Sequence, residues 1–172
     1  MSVHQLNEAA VWRPLLPQHL DRVNEIADEI HTSLPERPEV FEEKCRFFPE
    51  GCRVLVRDDR VFGYAVSHPW LLGRIPPLDE FLLALPETPT CLYLHDVVVL
   101  PAARGQRAAE RFLDYLESLA RRMTVGHLAL VSVYGTDALW SRHGFEVTQR
   151  PELEEKLRSY GSTAKYMTRT LA

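Results

Sequence analysis

The stretch that decides the fold is Leu92–Met123, which reads LYLHDVVVLPAARGQRAAERFLDYLESLARRM. It begins as an apolar run rich in valine and leucine, passes Pro101 and a turn of arginine and small residues, and continues as an amphipathic pattern. This order predicts a strand buried on both faces, a tight turn and a long helix. The first turn of a helix carries unpaired backbone N–H groups and the positive end of the helix dipole. The stretch therefore predicts an anion-binding unit at the turn.

Composition places the chain among ordinary globular proteins, with 172 residues of which 45% are hydrophobic and 26% charged. We expect one domain over residues 1–172. The net charge of −4 argues against a dedicated nucleic-acid binder. No apolar run has membrane-spanning length and the first ten residues lack a signal-peptide pattern, so we expect a cytoplasmic protein with no membrane partner.

Metal binding is not expected from the cysteines and histidines. The three cysteines form no CxxC pair, which favours free thiols, and the histidines lack the spacing of metal ligands. The residues considered are Cys45, Cys52, Cys91, His68, His127 and His143.

Hydrophobic periodicity and turn residues predict the order β, α, α, β, β, β, α, β, α, β, α, β. Gly63 lies inside a predicted strand and marks either a bulge or a close backbone approach. A further short helix is expected over 79–85, in a connection that either shapes a substrate pocket or covers the sheet edge. The predicted strands are 10–16, 52–57, 60–67, 92–100, 127–133, one from Phe145 and 164–171, and the predicted helices are one from Pro17, 38–48, 108–123, 136–143 and 151–159.

The segments VVVLPAARGQRAA (97–109) and LWSRHGFE (139–146) resemble the GCN5-related N-acetyltransferase (GNAT) superfamily, and the element order matches as well. The resemblance implies an α/β (α+β) fold with a mixed, largely antiparallel sheet, a splayed pair of parallel strands and flanking helices. It also implies an acetyltransferase that uses acetyl-CoA and no metal. The acceptor is a primary amine on a small molecule or peptide, and a homodimer is one expectation.

Residues that bind coenzyme A are implied at the turn and on the strand before it. Gly105, Ala108 and Ala109 leave the backbone open to a pyrophosphate, and Arg104 adds positive charge. Arg107 stands where the family usually has glycine, and it either contacts phosphate or points to solvent. The full expected set is Val97, Val98, Val99, Arg104, Gly105, Gln106, Arg107, Ala108, Ala109 and Trp140.

Asp96 and His95 are the candidates for removing a proton from the amine, because each is a titratable group in an otherwise apolar strand. Strand alternation predicts side chains on opposite faces unless a bulge intervenes, so that one of the two faces the substrate. The alternative for each is a structural role with local hydrogen bonds. Trp140 occupies the place of a tyrosine that the family often uses as proton donor, and Tyr134 is the candidate replacement or simply an aromatic residue at the rim.

Acidic residues in the segments that flank the implied acceptor site either attract a cationic amine or form a solvated face. Because Arg107 and Trp140 depart from the family pattern, a non-catalytic acyl-CoA sensor on the same fold is the alternative function, and another phosphorylated ligand is a third. The acidic residues are Glu36, Glu39, Glu42, Glu43, Asp79 and Glu80.

Overall fold

The structure is a computed structural model that describes residues 8–172. It confirms the predicted order of strands and helices. The strands are β1 (Val11–Pro14), β2 (Cys52–Arg57), β3 (Arg60–Trp70), β4 (Cys91–Val99), β5 (His127–Ser132), β6 (Glu146–Val147) and β7 (Lys165–Thr170); the helices are α1 (Leu20–Ile30), α2 (Pro38–Phe47), α3 (Ala108–Arg122), α4 (Asp137–Arg142) and α5 (Glu154–Arg158).

The strands within residues 8–172 form one seven-stranded sheet in the order β1-β2-β3-β4-β5-β7-β6. All neighbouring strands run antiparallel except β4 and β5, which are parallel and are joined through α3. A parallel pair needs such a crossover, because the end of the first strand and the start of the second lie at opposite edges of the sheet. The predicted mixed, largely antiparallel sheet with flanking helices is therefore confirmed.

The two faces of the sheet are covered by different helices. The apolar stripe of α3 packs Phe112 and Leu116 on the central strands, where Leu92 and Leu128 are fully buried. Helices α1 and α2 pack on the other face through residues such as Ile26. A fully buried side chain of this size contributes about 1.5–3 kcal/mol, so the central strands are held firmly from both sides.

The parallel pair separates halfway along its length. The pairing of β4 with β5 runs from Leu92–Leu128 to Leu94–Leu130 and stops there, although β4 continues to Val99. Beyond Leu94, no strand of residues 8–172 pairs with β4 on the side of β5. The gap opens at the segment that contains His95 and Asp96.

A β-bulge in β4 coincides with this gap. Asp96 pairs with Val66 of β3 and Leu94 pairs with Ser67, so His95 is the extra residue. The bulge is the exception allowed for in the predicted alternation, and it removes the reason for His95 and Asp96 to lie on opposite faces. Both side chains point to the face that carries α1 and α2, where they contact residues of that side.

Gly63 fulfils both roles predicted for it. The register of β2 against β3 shifts next to Gly63, and a Cβ atom placed there would lie 2.3 Å from the Val98 carbonyl oxygen. Only glycine permits this approach of β3 to β4. The position of Val98 in the gap therefore depends on Gly63.

The short helix expected over 79–85 is wrong. Asp79 and Leu83 have positive φ angles of 54° and 67°, which are incompatible with a helix. The buried Glu43 carboxylate instead accepts hydrogen bonds from the backbone N–H groups of Leu82 (2.6 Å) and Leu83 (3.1 Å). A side chain from α2 thus fixes the segment in an irregular path that sequence periodicity does not reveal.

Strand β3 is longer than predicted, since it continues through His68 and Pro69 to Trp70. Strand β2 begins at Cys52, which pairs with Val66, so β2 does not extend alongside the end of β3. Beyond this point β3 pairs only with β4 among residues 8–172, and an edge-like position of this kind tolerates Pro69.

In the described part of the chain, no helix has the length and hydrophobicity needed to cross a membrane. Residues 8–172 also contain no cluster of three or more histidine, cysteine, aspartate or glutamate side chains that could hold a metal ion.

Candidate functional site

A cleft of about 780 Å³ occupies the gap between β4 and β5. One wall is the second half of β4, and the other is the end of β5 with the residues that follow it. The turn before α3 lies at one end, and His31, directly after α1, lies at the other. The lining is mainly apolar, and its polar residues include Arg104 and Glu110 around the turn and the hydrogen-bonded group of His31, Asp96 and Tyr134.

The turn end of the cleft has the features of an anion-binding site. No side chain of residues 8–172 caps the N-terminus of α3, and Ala108, Ala109 and Glu110 of its first turn line the cleft. Gly105 has a φ angle of 81°, and a Cβ atom there would meet nothing within 4 Å. Unpaired N–H groups, the helix dipole and open space converge here.

The two arginines of the turn are differently engaged. Arg104 donates a hydrogen bond through Nε to the Val99 carbonyl oxygen at 3.0 Å, which holds its guanidinium beside the end of β4. Arg107 is 80% exposed and forms an ion pair with Glu110. Its φ angle of 56° lies in the left-handed region, which favours the glycine that the family usually has at this position.

Twelve of the thirteen predicted site residues line the cleft, and Gln106 does not. The Gln106 side chain turns away and accepts a hydrogen bond from the Ala10 N–H at 3.2 Å, which ties the turn to the start of β1. Val97, Val98 and Val99 lie along the wall formed by β4. Trp140, from α4, is half-buried and packs edge-on against Phe145, with ring centroids 5.8 Å apart.

Asp96 has both carboxylate oxygens occupied. Its Oδ1 lies 2.9 Å from His31 Nε2, and its Oδ2 accepts a hydrogen bond from the Tyr64 hydroxyl at 2.6 Å. Burial raises the pKa of Tyr64 well above its ordinary value, and the negative charge of Asp96 adds to this effect. Tyr64 therefore stays neutral and keeps donating, which fixes the carboxylate in one orientation.

His31 lies between Asp96 and Tyr134. The Tyr134 hydroxyl is 3.1 Å from His31 Nδ1, and the two rings stack with centroids 5.9 Å apart. Burial lowers the pKa of His31, but the hydrogen bond and charge of Asp96, together with the charge of Glu36, outweigh burial and raise the pKa above its ordinary value. A position at the C-terminal end of α1 also favours the imidazolium.

His95 belongs to a second and more deeply buried pair. Its Nε2 lies 2.6 Å from Glu36 Oε1, and the two side chains are 2% and 6% exposed. Burial raises the pKa of Glu36, but the charge and hydrogen bond of His95 together have the larger effect, and the net result is a pKa lowered to about 2. Phe41 packs edge-on against the imidazole, so the His95 side chain is nearly buried although the residue lines the cleft.

The acidic residues expected to attract an amine or face solvent divide between buried and exposed positions. Glu36 and Glu43 are buried and engaged by His95 and by backbone N–H groups, respectively. Asp79 pairs with Arg37. The remaining three, Glu39, Glu42 and Glu80, are exposed.

His31 and Tyr64 are site residues that sequence reasoning missed. His31 follows the last apolar position of the first helix, where it looks like an ordinary helix-ending residue. Tyr64 lies in an apolar strand, where it looks like a core aromatic. The only signal that could have found them is the need of a buried Asp96 carboxylate for donors.

The cleft fits coenzyme A on the residues present. The turn offers a phosphate cradle that a side chain at position 105 would fill, and the unpaired side of Val97–Val99 offers backbone groups to an extended pantetheine arm. The polar cluster of His31, Asp96 and Tyr134 lies near the point where the two strands part. The phosphate cradle, the backbone of β4 and the polar cluster thus match the phosphate, pantetheine and thioester parts of acetyl-CoA.

Comparisons with known proteins agree with this geometry. The family model described as "Acetyltransferase (GNAT) family" matches residues 20–145. No curated protein matches the chain with significant sequence similarity.

Among solved structures, Ard1 from Thermoplasma volcanium aligns with a TM-score of 0.71 at 18% identity, covering 96% of this chain and 99% of that one. N-acetylglutamate synthase from Neisseria gonorrhoeae, complexed with coenzyme A and N-acetyl-glutamate, aligns with a TM-score of 0.65 at 18% identity, covering 96% of this chain and 36% of that one. GphF, a GNAT-like decarboxylase in complex with isobutyryl-CoA, aligns with a TM-score of 0.75 at 16% identity, covering 94% of this chain and 100% of that one. At these identities the likeness concerns the fold.

Proposed function

The chain belongs to the GNAT family of acetyltransferases, and from this premise we propose that it transfers acetyl from acetyl-CoA directly to a primary amine. The observation that carries the proposal is the cleft between β4 and β5, with a phosphate cradle at one end and a polar cluster at the other. Neighbours of the same fold that were solved with coenzyme A or isobutyryl-CoA support an acyl-CoA as the donor.

In the proposed complex, Gly105 and the first turn of α3 hold the pyrophosphate, with Arg104 adding charge. The backbone of Val97–Val99 holds the pantetheine arm, and Trp140 packs beside it. Acetyl-CoA supplies an activated acyl group, and a backbone N–H of β4 stabilises the negative charge that develops on the carbonyl oxygen. Gln106 contributes only by fixing the turn through its contact with Ala10.

Of the two candidates on β4, we assign proton removal to Asp96 together with its hydrogen-bonded partner His31, and not to His95. Asp96 is 11% exposed and adjoins the cleft through His31, whereas His95 is 2% exposed and held by Glu36. Tyr134, a half-exposed residue that lines the cleft, is the proposed proton donor in place of the tyrosine that Trp140 replaces.

We further propose that the acceptor is an amine on a small molecule or a peptide and that the protein acts in the cytoplasm, either as a monomer or as a homodimer. The acceptor classes to be compared are free amino acids, peptide N-termini, lysine side chains, polyamines and aminoglycosides.

Calorimetric titration with coenzyme A tests the binding site. Gly105→Trp places an indole in the phosphate cradle and is expected to abolish binding. Gly161→Trp is the matched control, because Gly161 also has a positive φ angle, of 111°, and open space around it. Unchanged affinity in Gly105→Trp, or no binding of coenzyme A at millimolar concentration by the wild type, contradicts the proposed site.

A non-catalytic acyl-CoA sensor is the second candidate, favoured by Arg107 and Trp140 at positions where the family usually has glycine and often has tyrosine. The sensor binds coenzyme A equally well but releases no thiol with any amine. Thiol release therefore separates the two candidates.

A further inference from the structure

We propose that His31, held between Asp96 and Tyr134, stores the proton that passes from the attacking amine to the leaving thiolate. The inference rests on the proposed acetyl transfer and adds to it a residue that sequence reasoning did not identify. It explains how a tyrosine hydroxyl, whose ordinary pKa is about 10, exchanges protons near neutral pH.

The hydrogen bonds fix the protonation pattern of the resting ring. An ionised carboxylate only accepts hydrogen bonds, so the 2.9 Å contact places a proton on His31 Nε2. In the neutral ring Nδ1 is then an acceptor, and the Tyr134 hydroxyl donates to it across 3.1 Å. The free lone pairs of the Tyr134 oxygen are left for a group in the cleft.

This arrangement permits a balanced transfer in two halves. The amine nitrogen forms a bond to the acetyl carbon and gives a proton to the Tyr134 oxygen, while Tyr134 gives its own proton to His31 Nδ1. When the carbon–sulfur bond breaks, its electron pair stays on sulfur. His31 then returns its proton to Tyr134, and Tyr134 gives one to the thiolate. The products are the amide and the coenzyme A thiol, and no other reactant is consumed.

The charges around His31 stabilise the imidazolium that forms between the two halves. Asp96 from β4 and Glu36 from the connection after α1 are the negative groups that act on it, and Tyr134 and the Tyr64 hydroxyl behind Asp96 are its neutral neighbours. His31 is 15% exposed, so water does not screen these charges fully.

The backbone at Tyr134 provides an independent observation. Tyr134 has a φ angle of 56°, which is unfavourable for a side chain of this size, and Gly135 follows with a φ angle of 72°. Such strain persists where the surrounding structure requires it, and it concentrates at functional sites. Here the turn presents the phenol ring to the imidazole in a near-parallel stack, with 19° between the planes.

Three variants test the proposal, with thiol release from acetyl-CoA measured across a panel of primary amines. His31→Gln keeps a donor for Asp96 but cannot store a proton, and Tyr134→Phe keeps the ring stack but loses the hydroxyl. Each is expected to lower the rate about 100-fold or more while leaving coenzyme A affinity, measured by calorimetry, unchanged. His127→Gln is the matched control, because His127 lies at the start of β5 and Tyr134 follows its end, and this variant is expected to keep the wild-type rate.

The pH dependence gives a signature that a purely structural role would not produce. The wild-type rate is expected to rise with pH through the pKa of His31, which lies above its ordinary value. Asp96→Asn removes the neighbouring charge and is expected to move this rise to lower pH by about one unit or more. NMR titration of the His31 ring, without any substrate, is expected to show the same displacement between wild type and Asp96→Asn.

The outcomes separate this proposal from the function on which it rests. A wild type that binds coenzyme A but releases no thiol with any amine overturns both. A wild type that releases thiol while His31→Gln retains its rate and pH profile overturns the proton store alone. An NMR titration of His31 that is identical in wild type and Asp96→Asn also overturns it.

Discussion

Residues that are neighbours in sequence have separate environments at the bulge of β4. His95 is enclosed with Glu36, whereas Asp96 reaches the cleft through His31. Sequence reasoning identified the two β4 residues because titratable groups stand out in an apolar strand. It could not identify their partners, because His31 and Glu36 come from a connection about 60 positions away, whose path only the packed fold defines.

The buried pair of Glu36 and His95 predicts a loss of stability in acid. The pKa of Glu36 is about 2 in the folded protein and 4.5 ordinarily, so its contribution is present above pH 4.5 and is lost as the pH falls towards 2. From Glu36 alone, the free energy of unfolding should fall by about 2–3 kcal/mol between pH 6 and pH 2.5. Denaturant titrations at these two pH values measure the change.

Glu36→Gln should lose less stability over this interval than the wild type, because it lacks the titrating carboxyl group. Glu39→Gln is the matched control, since Glu39 is exposed and has no such partner among the described residues. Equal acid losses in wild type and Glu36→Gln would refute the assignment.

At the scale of elements, the strand–turn–helix unit from β4 to α3 could be predicted and its surroundings only in part. Apolar runs, Pro101 and the amphipathic stripe define strand, turn and helix within a few residues. The segment 79–85 could not be predicted, because its path depends on Glu43 of α2 rather than on its own periodicity. The bulge at His95 also leaves no local trace, since register is a property of two strands.

The close approach of β3 to β4 predicts that Gly63→Ala is costly. A Cβ atom at this position would lie 2.3 Å from the Val98 carbonyl oxygen, so β4 must move or the strand pairing must open. We expect the free energy of unfolding to fall by about 1–3 kcal/mol, measured by denaturant titration. Coenzyme A affinity should fall as well, because Val98 lines the cleft.

Gly126→Ala is the matched control for this substitution. Gly126 precedes β5, has nothing within 4 Å of the added Cβ atom and has no positive φ angle. It should leave stability and affinity nearly unchanged. If Gly63→Ala behaves as the control does, the packing of Gly63 on Val98 does not position the cleft.

At the scale of the whole molecule, one sheet carries a cleft whose ends have different chemistry. The parallel pair is the only one in residues 8–172, and its divergence creates the cleft. The family, the sheet and the proposed coenzyme A site could be predicted from sequence because they depend on motifs along a continuous segment. The proposed acceptor side could not, since the residues that line it come from the connection after α1, the end of β5 and the irregular segment before β4.

The central claim is that this cleft transfers acetyl, and the most direct measurement follows both products of one reaction. Acetyl-CoA and each amine of the panel are incubated with the wild-type protein, thiol is measured optically, and the acetylated amine is quantified by mass spectrometry. The account predicts that at least one amine yields amide and thiol in equal amounts, above the rate without protein. Binding of coenzyme A with no amide from any amine would contradict it.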